Sequence, residues 1–442
     1  MLKYRVPFLI IISLFNVSLT FAQVNQLSVE NNMSCVVTNE DMVKCWGDNW
    51  INQNLGYEDK ISRGGSPDTM GRYLDNIDLG IDFDAKQVVV GTFHTCALSK
   101  MGRVKCWGNR DKTYALGIGN NSTIGWDKNT MGDNLPYVDL GGKSVALSIG
   151  SYFTCSIMEN GGVKCWGEND IGELGQGHNE VVGRSLSEMG KNLPYVDLDT
   201  VSPVKEIYST YATTCVVFYD HRAKCWGAGE TDFYPSDLGT GWEFAGATLA
   251  TSGKNLPFLD FSGLGTPAKV VPGSDRTCAI FTNGKVTCYG EDFLGYGDEL
   301  PRRLHLNQAK YIELGEGVKV VDISLADEGA CVLTDDGRVK CWGGYSSDTT
   351  GCYPFLGQER CGSVGARPDE MGDNLPWTVV DKNLKVESLS CQHASHCCAL
   401  LENGKVKCWG ENSLGQLGLE NSIKIGHLPN SMGDSLPFVR IR

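Results

Sequence analysis

Two short runs of apolar and β-branched residues flank Asp335-Asp336-Gly337 in the stretch Cys331-Val332-Leu333-Thr334-Asp335-Asp336-Gly337-Arg338-Val339-Lys340-Cys341-Trp342-Gly343. This pattern predicts a β-hairpin with a three-residue loop and glycine in the left-handed position. Cys331 and Cys341 are symmetric about Asp336 and therefore directly opposed. Counting outward from the turn puts them at a non-hydrogen-bonded pair, where Cα atoms approach to ~4.5 Å, at the short end of the disulfide range.

The same spacing recurs seven times: Cys35 with Cys45, Cys96 with Cys106, Cys155 with Cys165, Cys215 with Cys225, Cys278 with Cys288, Cys331 with Cys341 and Cys398 with Cys408. Each pair is a predicted disulfide. Glycine closes five of the loops, and Asp41 and His221, types that tolerate positive φ, close the other two. Six copies continue Cys-Trp-Gly, and the fifth reads Cys288-Tyr289-Gly290. A β-rich lead-in such as Val88-Val89-Val90 precedes each hairpin, and a loop of about twenty residues follows, often with Leu-Gly near its middle. A fourth strand is announced by Met-Gly-x-x-Leu-Pro, as in Met131 to Leu140, Met189 to Leu198, Met371 to Val380 and Met432 to Val439. Repeat one keeps Met70-Gly71 without the proline, repeat four has Ser252-Gly253, and repeat five passes instead through Tyr311-Ile312-Glu313-Leu314.

Units of four short antiparallel strands cannot bury both sheet faces alone, and packing them radially can. The predicted fold is all-β: a seven-bladed β-propeller of four-stranded antiparallel blades, residues 23–442 forming one domain. The strand-like Val24 to Val29 and Phe438 to Ile441 predict a ring closed by pairing of the N- and C-terminal strands. A linear solenoid would need polar caps, and none is visible.

Lys3 and Arg5, an apolar run from Val6 to Phe21 and a small residue at Ala22 predict a signal peptide over residues 1–22. The run is shorter than the ~20 residues of a spanning helix. Eighteen cysteines agree with export to an oxidising compartment. Removing the hairpin pairs leaves Cys352, Cys361, Cys391 and Cys397, which allow three pairings, and proximity favours Cys352 with Cys361 and Cys391 with Cys397. The formal charge of −14 disfavours nucleic acid and is compatible with basic partners.

Repeats that run through Gly91-Thr92-Phe93-His94-Thr95-Cys96-Ala97-Leu98, then Gly-x-Val-x-Cys-Trp-Gly, then Gly415-Gln416-Leu417-Gly418 resemble the regulator of chromosome condensation repeat family. That resemblance, over residues 24–442, implies a seven-bladed propeller. It is weak for function, because the family includes nuclear exchange factors, a plant light receptor and secreted β-lactamase inhibitors. The paired hairpin cysteines look like its exported, disulfide-rich branch.

Catalytic motifs are missing, and the seven histidines are scattered over different repeats. The cluster Cys391-Gln392-His393-Ala394-Ser395-His396-Cys397-Cys398 could hold zinc. His396, however, falls two residues before its hairpin cysteine, as His94 does, which gives it a structural slot. No metal, cofactor or catalytic residue is assigned. Loop aromatics outside the repeat pattern are the candidate ligand-binding residues: Tyr345, Tyr353, Phe355, Trp126 and Trp242, with Trp50 and Phe244 of the same kind. Such rings either recognise a partner or cover hydrophobic sheet edges. The expected function is a secreted or cell-surface, monomeric, non-catalytic scaffold that binds an extracellular protein or glycan through its inter-strand loops. The alternatives are a secreted enzyme inhibitor and a propeller enzyme with a site at the central opening.

Overall fold

The computed structural model describes residues 23–51, 53–108, 113–199, 201–228, 238–240, 244–291, 294–298, 303–344 and 351–442, so the predicted signal peptide lies outside it. Among the described residues every regular element is a strand or a single 3-10 turn. No described helix is long and apolar enough to cross a membrane.

Seven antiparallel sheets follow one another along the chain. Their first strands are Val24–Glu30, Ala85–Val90, Ser144–Ile149, Val204–Thr210, Pro267–Pro272, Val320–Ala326 and Val386–Ser390. Each pairs with the leading strand of a hairpin, as Val24–Glu30 does with Met33–Thr38, which in turn pairs with Val43–Gly47. The second strands are buried along their whole length, from Met33–Thr38 to His396–Leu401. A strand covered on both faces needs apolar residues at consecutive positions, which is why these segments read as continuous runs rather than alternating ones.

The hairpin geometry follows the sequence arithmetic. The Thr38 amide donates to Met42 O at 2.8 Å, leaving three loop residues. The closing residue is left-handed throughout, from Asp41 (φ 60°) and His221 (φ 65°) to Gly337 (φ 83°). All seven expected hairpin disulfides are present. Cys35 is bonded to Cys45, Cys96 to Cys106, Cys155 to Cys165 and Cys215 to Cys225. Cys278 is bonded to Cys288, Cys331 to Cys341 and Cys398 to Cys408. Their Cα separations are 4.0 to 4.1 Å, somewhat closer than the ~4.5 Å of an unbridged pair. All of these cysteines are fully buried, Cys45, Cys106, Cys165, Cys225 and Cys408 on the third strands included, so they fasten the interior and offer no exposed chemistry. Cys352 bridges to Cys361 and Cys391 to Cys397, the two proximal pairings.

The predicted fourth strand is split in two. At the glycine end of each third strand the loop returns to pair once, as in Gly47 with Arg63 and Gly410 with Ile425. At the valine end the segment after Leu-Pro adds a second contact, as in Val138 N–H to Val104 O at 2.9 Å and Val439 N–H to Val406 O at 2.9 Å. Only Phe244–Ala245 and Trp377–Thr378 extend far enough to count as strands, so the sheets have three or four strands. The interruption has a local cause: a 3-10 turn such as Gly132–Asn134 and the proline after it withhold the backbone donors a continuous ladder would use.

Side chains stitch the first strands together where their backbones are too far apart to pair. Ser28 Oγ accepts from Val90 N–H, Ser148 Oγ from Ser209 N–H and Ser324 Oγ from Cys391 N–H. The buried tryptophans join neighbouring sheets in the same way: Trp107, Trp166 and Trp226 donate through Nε1 to Asn54 O, Ala115 O and Glu173 O in the preceding repeat.

The first and last sheets repeat these contacts. Val29 N–H donates to Ser390 Oγ, Trp46 Nε1 to Gln416 O, and Gly71 N–H to Arg440 O. The terminal strands themselves do not pair with each other, contrary to the sequence expectation. Val24–Glu30 pairs with Met33–Thr38, and Phe438 with Lys407, each inside its own sheet. Register explains the difference: every sheet is built wholly from one repeat, so neither end of the chain supplies a strand to the other.

Candidate interaction face

The three-residue hairpin loops lie at one end of the sheets, and the turns between first and second strands lie at the other. Six of these turns hold two residues: Asn31-Asn32, Thr92-Phe93, Ser151-Tyr152, Tyr211-Ala212, Ser274-Asp275 and Asp327-Glu328. The seventh is the longer Cys391 to Cys397 segment, closed by its own disulfide. That segment reaches across the turn face. Gln392 Nε2 donates to Ser209 O at 2.8 Å, and the His393 ring lies 5.6 Å from that of Tyr211. The Asn31 and Asp327 amides donate to His393 O and Ala394 O. Gln392 and His393 therefore reach from the seventh sheet to the fourth.

Carboxylates surround this crossing. His393 Nδ1 stands 3.3 Å from Glu30 Oε1, and its Nε2 stands 3.5 Å from Asp327 Oδ1. Burial pushes the Glu30 carboxyl up to about 7 despite the imidazole beside it. Burial alone would depress His393, but the Glu30 carboxylate and then Asp327 outweigh it and lift the imidazole to about 9. Glu173 is pushed up to about 7, mainly by burial, and Glu168 and Glu328 are raised by burial and by the neighbouring Asp170 and Asp327 respectively.

The predicted aromatic site is divided by the structure. Trp126 is half-buried and lies 6.5 Å from the ring of Trp50, which is 68% exposed, with Lys60 Nζ 5.2 Å from the Trp126 ring. The two rings come from repeats one and two, and Ile51 and Ile61 of repeat one are also exposed. Trp242 and Tyr345 lie outside the described residues. Tyr353 and Phe355 are corrections: they are 6% and 1% exposed, so neither is an open contact residue. Pro354–Leu356 forms a 3-10 turn with all three side chains buried, and Phe355 O accepts Trp409 Nε1 at 2.7 Å. Leu356-Gly357 is thus the sixth repeat's copy of the Leu-Gly pair, placed like Leu417-Gly418 against the next tryptophan. The sequence carried that signal, and the flanking cysteines disguised it as an insertion.

The regulator of chromosome condensation (RCC1) repeat model matches residues 85–111, 145–173 and 394–416. The crystal structure of Prp20p from Saccharomyces cerevisiae, described with its binding to Gsp1p and histones, superimposes with a TM-score of 0.61 at 18% identity, covering 93% of this chain and 88% of that one. The chain is a propeller of regulator of chromosome condensation repeats. Mouse regulator of chromosome condensation is 24% identical over 76% of this repeat propeller and 74% of its own length. Human E3 ubiquitin-protein ligase HERC2 is 26% identical over 57% of the chain, and the yeast guanine nucleotide exchange factor SRM1 is 21% identical over 65%. The chain spans 5% of the length of the first of these and about half (48%) of the second.

Within this repeat propeller the histidines and lysines hold structural places. His94 Nε2 bonds Thr154 Oγ1 at 2.7 Å and His396 Nε2 bonds Ser34 Oγ at 3.0 Å, each reaching into the next sheet. Burial drives both imidazoles down to about 3. Among the described residues the one group close enough to suggest a metal is Cys331, Cys391 and Cys397, and all three sulfurs belong to disulfides. The sequence reading missed the lysine before the second hairpin cysteine. Lys105 Nζ donates to Leu79 O and Gly132 O and sits 4.7 Å from the Tyr137 ring. Lys164, Lys224, Lys340 and Lys407 repeat this with Gly190, Gly253, Gly372 and Gly433. The Met-Gly-x-x-Leu-Pro-aromatic motif is the socket for that lysine. A signal was present, because repeat five lacks both, having Thr287 and no Met-Gly.

Proposed function

We propose that this chain is a secreted, monomeric, non-catalytic scaffold: a closed ring of seven four-stranded blades that binds a protein through its turn face. Residues 1–22 direct export, and the nine disulfides suit an oxidising compartment. Closure is supported by the contacts of Ser390, Gln416 and Arg440 with the first sheet, which copy those between successive sheets. The split outer segments serve as the fourth strand of each blade.

The observation that carries the binding reading is the segregation of side chains. The buried histidines and tryptophans of the repeat bond between neighbouring sheets, whereas the turn face and its rim present Trp50, Trp126, Phe93, Tyr152 and Tyr211. Rigid aromatic rings on loops are the usual anchors of protein recognition. Similar propellers support a protein partner, since yeast RCC1 (Prp20) was solved bound to Kap60.

A photoreactive phenylalanine analogue placed at Trp50 is the test. In extracellular fractions it is expected to cross-link a discrete partner, whereas the same analogue at Tyr219, exposed in a hairpin loop at the other end, is not. Cross-linking from Tyr219 alone would assign binding to the wrong end.

A further inference from the structure

The turn face has two chemically different halves. In repeats two to four the turns carry rings: Phe93 and Tyr152 stack with centroids 4.7 Å apart and planes within 7°, and Tyr211 is 40% exposed beside them. In repeats five and six, and across to repeat one, they carry carboxylates. Asp275, Asp327, Glu328 and Glu30 face one guanidinium and one imidazole. Arg276 is buried and forked onto Asp275 at 2.7 and 2.9 Å, and the same guanidinium donates to Asp327 O at 3.3 Å, which leaves the Asp327 and Glu328 carboxylates without an arginine fork of their own. His393 is shared between Glu30 and Asp327. Glu328 faces Asp327 with like charge, and Glu30 Oε2, buried, has no hydrogen-bond partner.

We propose that this face takes a basic, arginine- or lysine-bearing segment of a protein, with its cationic groups against Asp327 and Glu328 and its apolar stems on the Phe93–Tyr152 stack. The inference rests on the turn face being the binding face and adds the chemistry of what it binds. Carboxylates beside aromatic faces favour an organic cation, because they supply Coulomb attraction and ring quadrupole together. A metal ion is disfavoured, since the carboxylates and His393 do not converge as a ligand set. The acidic balance of the whole chain, −14, steers such a segment toward it.

The test uses a fluorescein-labelled peptide of alternating arginine and tyrosine, read by anisotropy with the full mature chain. The parent chain is expected to bind it. The double variant Asp327→Asn/Glu328→Gln should raise Kd about fivefold or more, and Phe93→Ala about threefold. Glu159→Gln/Asp335→Asn makes the same change of charge in hairpin loops at the opposite end and should leave Kd within about twofold. These carboxamides are near-isosteric, so a loss through unfolding would show in circular dichroism. Equal weakening by both double variants, equal binding of a glutamate-tyrosine peptide, or no binding by the parent chain would overturn the proposal. If the peptide fails while cross-linking from Trp50 persists, the basic-segment inference falls and the binding-face reading stands.

Discussion

Replacing Trp166 by alanine is expected to lower the unfolding free energy by ~3–5 kcal/mol, the cost of emptying a large aromatic site in a packed interior. Trp166 is fully buried at the junction of the second and third sheets, and its Nε1 donates to Ala115 O at 2.9 Å. A Cβ on Gly117 would lie 2.7 Å from that nitrogen, so backbone and ring are already in contact and the site cannot collapse without moving a sheet. Thr154 Oγ1 also donates to Ala115 O, so the carbonyl keeps a partner and the loss is chiefly one of packing. Trp126→Ala is the comparison. Its ring is half-buried on the rim, and the change should stay within about 0.5 kcal/mol. Guanidinium unfolding under nonreducing conditions reads both, and equal effects would contradict the assignment of one tryptophan to the scaffold and the other to the surface.

Acidification is expected to leave stability nearly level from about pH 6.5 to 4.5 and then to remove about 4 kcal/mol by pH 3. His94 and His396 stay neutral in the folded chain down to about 3, whereas the unfolded imidazoles protonate near their ordinary value of 6.5. Their contribution is therefore present above 6.5 and lost as pH falls toward 3. Glu30 and Glu173 act oppositely, because their folded carboxyls protonate at about 7 and the unfolded ones at 4.5. They add stability as pH falls from 7 to 4.5 and nothing further below it. Two histidines and two glutamates thus offset one another in the upper window, and the histidines are unopposed in the lower one. Carboxylates held low by basic neighbours, such as Asp336 beside Arg338, deepen the same loss. Chemical denaturation across this range, repeated with His94→Gln, checks the account. The variant should lose about half as much between pH 4.5 and 3, and an unchanged slope would mean that other groups set the acid limit.

The fold was legible because its determinants are local and repeated. A cysteine pair symmetric about a turn residue fixes hairpin register, and seven copies fix the number of sheets. The terminal strands were misread because strand character alone does not say which neighbour supplies the hydrogen bonds; each of them pairs inside its own sheet. The binding site was less legible. Phe355 looked like surface because Cys352 and Cys361 bracket it, yet Leu356-Gly357 marked the turn as core. Phe93, Tyr152 and Tyr211 sit in two-residue turns inside the repeat, where sequence spacing hides that three different sheets bring them to one end. His393 and Glu30 are 363 residues apart, and only the meeting of the first and last sheets makes them a pair.

Amide hydrogen exchange on the mature chain, free and saturated with the partner it cross-links, addresses the central claim most directly. Binding at the turn face predicts slowed exchange in segments 91–94, 150–153, 210–213 and 326–329, with segments 39–41, 219–221, 335–337 and 402–404 unchanged. Protection confined to the latter group, the hairpin loops, would contradict it.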